Sequence, residues 1–278
     1  NQGFLAVADC SFTNNTTGSN GAALYNQPSP GQSCRLALVR CTFTGNQATG
    51  AGGALANIGV AGATAEVLAE DCVFTGNTAL IAAGAVLNNG SSGPARMIVR
   101  RSIFSDNRTT NARGGAFYNV SIATGGLAEL MLESCTFSGN ETGALPGGAL
   151  SNYTQTGGTA NATVRQCTFN DTKCLSTGSG GGLMNEALGA TSTSNLSLVG
   201  CTVAGNSTTS AAGGGLGADG STATTTLNGC IIAGNTATVG ALDVVGLNGA
   251  VVTSSGNNLI GKTDGSNVTW LPGDLTGT

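Results

Sequence analysis

Short segments of alternating apolar and polar residues recur along the whole chain. Leu36 and Leu38 are separated by one residue, as are Cys41 and Phe43, and the same spacing returns about every 31 residues. A period of two is typical of strands, and the change of parity between Leu38 and Cys41 predicts a corner. Clusters of Gly, Asn, Ser and Thr interrupt these segments, and no stretch of useful length has a helical period. The pattern therefore predicts an all-β fold with almost no helix.

The segment Cys41-Thr42-Phe43-Thr44-Gly45-Asn46 is one copy of a repeat that occurs eight times. Successive copies are 29 to 34 residues apart and are anchored by Phe12, Phe43, Phe74, Phe104, Phe137, Phe169, Val203 and Ile232. A fixed period of this length marks a solenoid, in which each repeat forms one coil. Because the 46 glycines fall largely at fixed repeat positions, they indicate tight turns rather than disorder.

A second motif lies between these copies, as in Gly53-Ala54-Leu55-Ala56-Asn57. It returns in each coil and is weaker at Gly215-Leu216 and Gly240-Ala241-Leu242. One coil is then expected to contain a strand that ends at Leu38, a strand with Cys41 and Phe43, and a strand around Leu55. Three strands and two loops would close each turn.

The paired Gly-Gly-Ala-aliphatic and Phe-x-x-Asn motifs resemble the repeats of the chlamydial polymorphic outer-membrane proteins and of related bacterial and algal surface proteins. The resemblance covers nearly all of residues 1–245. It implies a right-handed, single-stranded parallel β-helix of about eight coils. It also implies an adhesin or autotransporter passenger that is secreted or lies on the cell surface.

Two parts are expected within one domain, with repeats in residues 1–245 and a terminal, capping coil in residues 246–278. The end of a solenoid exposes strand edges and core, so a covering segment is needed, and Trp270 is the only Trp. No run of about 18 apolar residues occurs, which predicts no transmembrane segment. No signal segment occurs either, and the chain is interpreted as a piece of a larger secreted protein.

Charged residues make up 9% of the chain and the net charge is −4, so no basic patch for nucleic acid is expected. Twelve of the 24 charged residues fall in three columns relative to the Phe anchor. The columns are Arg35, Glu66, Arg96 and Glu129; Glu70, Arg100, Glu133 and Arg165; and Asp9, Arg40, Asp71 and Arg101. Signs alternate along each column, so coils stacked in register would place every charge between opposite charges. The columns predict this register independently of the family resemblance.

Three further columns are interpreted as structural ladders. They are the Phe anchors themselves, the Asn residues that follow them, including Asn46, Asn77, Asn107 and Asn140, and seven cysteines, Cys10, Cys41, Cys72, Cys135, Cys167, Cys201 and Cys230. Stacked amides can satisfy backbone groups that a turn leaves unpaired. The cysteines are expected to be buried free thiols, since parallel side chains are poorly placed for disulfides and a straight column cannot converge on zinc. No metal or cofactor is predicted.

Catalysis is the alternative function, because parallel β-helices also carry polysaccharide lyases and glycoside hydrolases. Such sites need clustered carboxylates or a carboxylate-bound cation beside a base. Asp106 and Asp171 lie two coils apart at the same repeat position, and the chain has no His. A non-enzymatic role is favoured.

One outward column suggests a contact surface. Leu68, Ile98 and Met131 lie between two of the charge columns and form either a contact stripe or a stripe that the chain's own loops cover. Expected partners are other surface proteins, receptors on a host or neighbouring cell, copies of the chain itself, or glycans. Candidate glycosylation sites at outward or loop positions are Asn89, Asn161 and Asn195.

Overall fold

The chain forms a parallel β-solenoid in a computed structural model that describes residues 3–175, 178–209, 212–240 and 243–277. All strand pairs between successive coils are parallel, and the described residues contain no helix. Eight coils about 31 residues apart confirm the predicted all-β solenoid, while its right-handedness stays a prediction. Ala241 and Leu242 of the last Gly-Ala-Leu motif lie outside the described residues.

Four sheets run along the solenoid, whereas three were predicted. The prediction was wrong at the loop after Asn46, because Gln47–Ala48 and its equivalents form a short ladder of their own. We number the coils 1 to 8 by their Phe anchors, or by Val203 and Ile232 in coils 7 and 8, and name the sheets A to D in chain order within a coil.

Sheet A contains the longest strands. Its strands are Gly3–Ala8, Cys34–Val39, Ala65–Glu70, Ala95–Arg100, Leu127–Glu133, Thr159–Arg165, Thr193–Val199, Ala223–Asn228 and Val251–Ser254. Sheet B carries the Phe anchors. Its strands are Ser11–Thr13, Thr42–Thr44, Val73–Thr75, Ile103–Ser105, Thr136–Ser138, Thr168–Asn170, Thr202–Ala204, Ile231–Ala233, Leu259–Ile260 and Leu275–Thr276.

Sheet C is made of two-residue strands. They are Thr16–Thr17, Gln47–Ala48, Thr78–Ala79, Arg108–Thr109, Glu141–Thr142, Lys173–Cys174, Ser207–Thr208 and Thr236–Ala237. Sheet D follows the Gly-Gly-Ala motif. Its strands are Leu24–Asn26, Leu55–Ile58, Val86–Asn89, Phe117–Ser121, Leu150–Gln155, Leu183–Leu188, Leu216–Asp219 and Val244–Leu247.

The predicted corner between sheets A and B is a single residue in the left-handed region. Arg40 has φ 51° and Asp71 has φ 55°, and the equivalent residue of every coil from Asp9 to Gly229 also has positive φ. One left-handed residue turns the chain and shifts the parity of the side chains. This is why Leu38 and Cys41 both point into the core.

The Phe anchors form a continuous stack inside the solenoid. From Phe12 to Phe169, neighbouring rings have centroids 4.6 to 4.9 Å apart and lie within 11° of parallel. Sheet A contributes two aliphatic columns beside this stack, represented in coil 2 by Leu36 and Leu38. In coil 1, the predicted inward residue Leu5 is 42% exposed, because this coil has a neighbour on one side only.

Residues 246–277 continue the solenoid at its far end. Val251–Ser254 and Leu259–Ile260 add strands to sheets A and B, and Leu275–Thr276 pairs with Leu259–Ile260. Val268 and Trp270 pack against the main core. The segment therefore covers apolar side chains of the last coils.

Each residue type of the Gly-Gly-Ala motif is required at its position for a different physical reason. Gly52 has φ +67°, a conformation that favours glycine. Gly53 has no room for a side chain, because a Cβ there would overlap the carbonyl oxygen of Gly84 in the next coil. Ala54 and Leu55 then face the main core with no exposed surface. The second glycine is thus required by the close approach of stacked coils.

We predict that Gly84→Ala destabilises the protein by about 3 kcal/mol or more, because the new Cβ would overlap the carbonyl oxygen of Gly115 in the next coil. Denaturant melts measure the change. Gly76→Asn is the matched control, since Gly76 has φ +62° with open space around it and Asn14 occupies the equivalent turn in coil 1. The control should lose about 1 kcal/mol or less. Equal losses in the two variants would contradict this explanation.

Candidate functional site

The outer face of sheet A carries the most distinctive surface chemistry of the solenoid. In coils 3 to 5, each strand presents a charged, an apolar and a second charged side chain. The three rows are Glu66, Leu68 and Glu70; Arg96, Ile98 and Arg100; and Glu129, Met131 and Glu133. We call these nine residues the contact face. Both charges of one row have the same sign, and the sign reverses from each row to the next.

Ion pairs connect the rows as the sequence columns predicted. Arg100 lies between two carboxylates, with its Nη1 3.1 Å from Oε1 of Glu70 and its Nε 3.0 Å from Oε2 of Glu133. Arg96 Nε lies 2.6 Å from Oε2 of Glu129. Hydrogen bonds to Glu70 and Glu133 raise the pKa of Arg100, so the guanidinium stays charged. The predicted register is confirmed at these positions.

The column at the corner between sheets A and B behaves in the same way. Arg40 makes a bidentate pair with Asp9, and Arg101 makes one with Asp71. These hydrogen bonds lower the pKa of both aspartates. Since the pairs are exposed, they mark the register more than they add stability.

The apolar stripe of Leu68, Ile98 and Met131 is half-buried between the charges. Two shallow depressions of about 260 and 400 Å³ adjoin it, and every residue that lines them belongs to a strand of sheet A. No loop of the described chain lines these depressions. The use of the stripe as a contact surface stays a prediction.

The outer face of sheet D is covered instead. Loops from sheet C to sheet D fold over it and bury a second apolar cluster, which contains Ala51, Ala82, Ala83, Leu87, Val120 and Tyr153. Within the part of the chain that the structure describes, loops thus cover the outer face of sheet D at this cluster, whereas only strands of sheet A line the depressions beside the apolar stripe.

Under those loops lies an ion pair that the repeat pattern did not predict. The guanidinium of Arg113 donates to both carboxylate oxygens of Glu186, at 2.7 to 3.0 Å, and lies 4.1 Å above the ring of Tyr153. Both charged side chains are almost fully buried, and burial raises the pKa of Glu186. Neither residue belongs to a repeat column, so periodicity gave no signal for the pair. Its geometry joins a loop of coil 4 to a strand two coils further on.

The Asn residues after the Phe anchors form a ladder at the corner between sheets B and C. Nδ2 of Asn77 donates to Oδ1 of Asn107 at 2.9 Å and to the carbonyl oxygen of Phe43 at 3.0 Å. The backbone N–H of Asn77 also donates to Oδ1 of Asn107. Each amide therefore replaces backbone partners that the turn removes. The same pattern extends over Asn46, Asn77, Asn107 and Asn140.

The ladder has a defined end. Thr172 replaces one Asn and still donates to Asn206, and the last amide, Asn235, donates to Oδ1 of Asp243. Asp243 is buried and accepts a further hydrogen bond from the backbone N–H of Lys262. Both carboxylate oxygens of Asp243 act as acceptors here, so this side chain suits the end of a column of donors.

A second amide ladder joins sheet D to sheet A. Nδ2 of Asn57 donates to Oδ1 of Asn88 at 2.8 Å and to the carbonyl oxygens of Ala65 and Arg96, each at 3.2 Å. The ladder consists of Asn26, Asn57, Asn88, Asn119, Asn152 and Asn185. It holds the corner at which each coil passes from sheet D to sheet A of the next.

All nine cysteines are free thiols, and eight of them are buried. The thiols of the column, including those of Cys41, Cys72 and Cys135, donate to carbonyl oxygens at the corner between sheets A and B. Cys10 contradicts the expected burial of all seven column cysteines, because it lies in coil 1 and is exposed. Cys34 and Cys174, which lie outside the column, are also buried.

Asp106 and Asp171, the residues considered for catalysis, occupy left-handed turn positions with φ 55° and 53°. Gly45 and Gly76 occupy the same position in other coils. Aspartate tolerates this conformation better than most residues, which accounts for both without a catalytic role. Among the described residues, no three His, Cys, Asp or Glu side chains are placed to hold a metal ion.

Of the three candidate glycosylation sites, Asn195 is exposed, and Asn89 and Asn161 are half-buried. Asn195 is exposed on sheet A, and its Nδ2 donates to Oδ1 of Asn161 in the preceding coil at 2.9 Å. Asn89 is half-buried at the end of a strand of sheet D, where its Oδ1 accepts from the backbone N–H of Ser91. Glycosylation of these residues stays a prediction. Ladder sequons such as Asn107 and Asn140 are fully buried, so the folded chain offers no access to them.

The fold and its open face define a class of protein, the parallel β-solenoid with a repeated surface. Within that class, residues 9–27 and 40–58 match the Chlamydia polymorphic membrane protein repeat. These two adjacent segments each contain a corner, a Phe anchor and a strand of sheet D. The expected resemblance is therefore confirmed for the repeat.

The matched repeat and the solenoid fold indicate a surface protein with a structural or adhesive role. The family of the matched repeat is not enzymatic. Its name suggests a location at the outer membrane or cell surface. No curated protein and no solved structure matches the chain significantly. Among the residues that the structure describes there is no apolar helix of membrane-spanning length.

We predict that Cys10 alone among the column cysteines reacts rapidly with an alkylating reagent in the native protein. Burial raises the pKa of the Cys72 thiol from 9.0 to about 11, so Cys72 stays protonated and protected. The pKa of this thiol is higher in the folded than in the unfolded protein. The contribution of Cys72 to folding stability is therefore present below pH 9 and is lost as the pH approaches 11. Peptide mapping after timed alkylation checks this, and rapid labelling of Cys72 at neutral pH would contradict it.

We also predict that Arg100→Glu destabilises the protein at low salt, because three carboxylates would then lie in one column. Each like-charge contact should cost a few tenths to about 1 kcal/mol. The loss should shrink in about 1 M salt, where the Debye length is about 3 Å. A double-mutant cycle between Glu70 and Arg100 measures the coupling, and a coupling of zero at low salt would contradict the register argument.

Proposed function

We propose that this protein is a secreted or cell-surface β-helix that acts by contact, as an adhesin, a spacer or a filament subunit. The observation that carries the proposal is the contact face, because it places an uncovered apolar stripe between ordered charges on a rigid sheet. Interfaces commonly combine an apolar centre with a polar rim. The matched surface-protein repeat supports the same conclusion.

Rigidity fits this role. Two buried amide ladders, the Phe stack and four sheets hold each coil to its neighbours, so a side chain on one coil has a fixed position relative to the next. Solenoids characteristically use such extended, regular surfaces for binding. Partners of the proposed class are other surface proteins, receptors of neighbouring cells, copies of the chain or glycans.

The alternative, a polysaccharide lyase or glycoside hydrolase, gains no specific support from the geometry. Asp106 and Asp171 are explained as turn residues. Glu186 is held in a bidentate pair with Arg113 beneath loops, where a sugar chain has no access. No second function is therefore proposed.

We predict that the purified chain binds intact cells of its source and that Ile98→Asp removes most of this binding. Burying a new carboxylate at the centre of the stripe would be unfavourable. Ile103→Asp is the matched control, because Ile103 is an exposed isoleucine on sheet B, five residues away and 45% exposed. Flow cytometry of labelled protein measures the binding.

Equal binding by the two variants would show that the contact face is not used. A screen for release of reducing sugars from polysaccharides, with and without calcium, tests the alternative in parallel. Sustained turnover that is lost in Asp106→Ala or Asp171→Ala would replace the proposed function by catalysis.

A further inference from the structure

The alternating rows of the contact face restrict what can bind there. A ligand of uniform charge would be attracted by one row and repelled by the next, about 4.8 Å away. Nucleic acid and anionic membranes are therefore poor partners. A complementary surface must itself alternate in sign with the same repeat, and the contact face of a second copy has this property.

We propose that two copies of the chain associate through the outer faces of their A sheets, with their solenoid axes antiparallel. This inference rests on the proposed function and names its partner. The two-fold axis runs along the strand direction, between the two sheets and midway between coils 4 and 5. Coil 4 of each copy then faces coil 5 of the other, so that the Arg96 row meets the Glu129 row and Ile98 meets Met131.

Charge selects this arrangement. With the axis between coils 4 and 5, Arg100 faces Glu133, and Glu70 in coil 3 faces Arg165 in coil 6. No two like charges meet along the face. An axis centred on coil 4 would place Arg96 against its own copy and Glu66 against Glu129. A two-fold axis along the solenoid would pair every row with itself, so both arrangements oppose like charges.

Area then distinguishes this register from the others that avoid like-charge contacts. An axis between coils 3 and 4 overlaps only coils 1 to 6, and an axis between coils 5 and 6 overlaps only coils 3 to 8. Axes nearer either end overlap fewer coils. The axis between coils 4 and 5 overlaps coils 1 to 8. Eight strands at the inter-strand spacing are roughly 38 Å wide, and each strand is about 20 Å long, so the facing area is about 770 Å² per copy. This is close to the area of about 800 Å² per partner that is usual for a specific interface.

The arrangement also covers exposed apolar groups outside the stripe. Phe4 is 67% exposed on the outer face of coil 1 and would lie against coil 8 of the partner copy. Asn161 and Asn195 lie within the same face. A glycan on either residue would block the association.

Sedimentation of the full chain tests the proposal. A dimer is expected in about 0.05 M salt, and its dissociation constant should rise at least tenfold in about 1 M salt because the facing charges are screened. A chain that remains monomeric at low salt and at the highest soluble concentration would overturn the proposal. Cell binding by such a monomer would leave the proposed function intact, so the two failures are distinguishable.

Two charge variants provide the sharper test. Arg96→Glu with Arg100→Glu makes coils 4 and 5 both negative, and Glu129→Lys with Glu133→Lys makes them both positive. Each variant alone should be monomeric, whereas an equal mixture should form a heterodimer, since negative coils then face positive ones. Arg108→Glu on sheet C is the control and should dimerise like the wild type.

Thermal melts establish that each charge variant is folded before it is used. Recovery of association on mixing cannot follow from a folding defect in either chain. A mixture that stays monomeric, or single variants that dimerise as tightly as the wild type, would overturn the proposed interface.

Discussion

Stacking in register is the constraint on which the rest of this structure depends. A coil must turn four times, and at each turn some backbone N–H and C=O groups lose their partners in the sheets. These groups are buried, so they need replacements. The amide ladders supply them at two corners and the column of thiols supplies a donor at a third. Each replacement works only if the same residue stands at the same place in the next coil, which is why the sequence repeats.

The surface chemistry follows from the same constraint. Once coils are in register, every outward position becomes a column with a fixed spacing, and alternating charges become neighbouring ion pairs. The apolar stripe of Leu68, Ile98 and Met131 stays continuous for the same reason. Loop residues do not have to repeat from coil to coil. The loops before sheet D differ between coils, cover the outer face of that sheet and bury Arg113 against Glu186. An open face and a covered face thus arise from one repeated unit.

Much of the fold could be predicted from the sequence, because each structural position occurs once in every repeat and its residue type can be compared across eight copies. The Phe and Asn columns, the corner before Cys41 and the charge register all depend on periodicity. The two-residue strands of sheet C were missed because two residues show no alternation. The exposure of Cys10 depends on its place in coil 1 rather than on its repeat position. The Arg113 and Glu186 pair could not be predicted, because it occurs once and joins residues 73 apart through a loop.

The most direct test of the stacking account is the stability of Asn107→Asp at neutral pH, measured by denaturant melts beside Asn107→Thr. The carboxylate could still accept from Asn77 but could not donate to Phe74 or Asn140, and it would face the Oδ1 of Asn140. We expect a loss of about 3 kcal/mol or more for the aspartate, since a buried charge would lack a partner. The threonine variant should lose less than half as much, because Thr172 already fills this position in coil 6. Aspartate stability within about 0.5 kcal/mol of the wild type would show that the amide ladder does not hold the coils together.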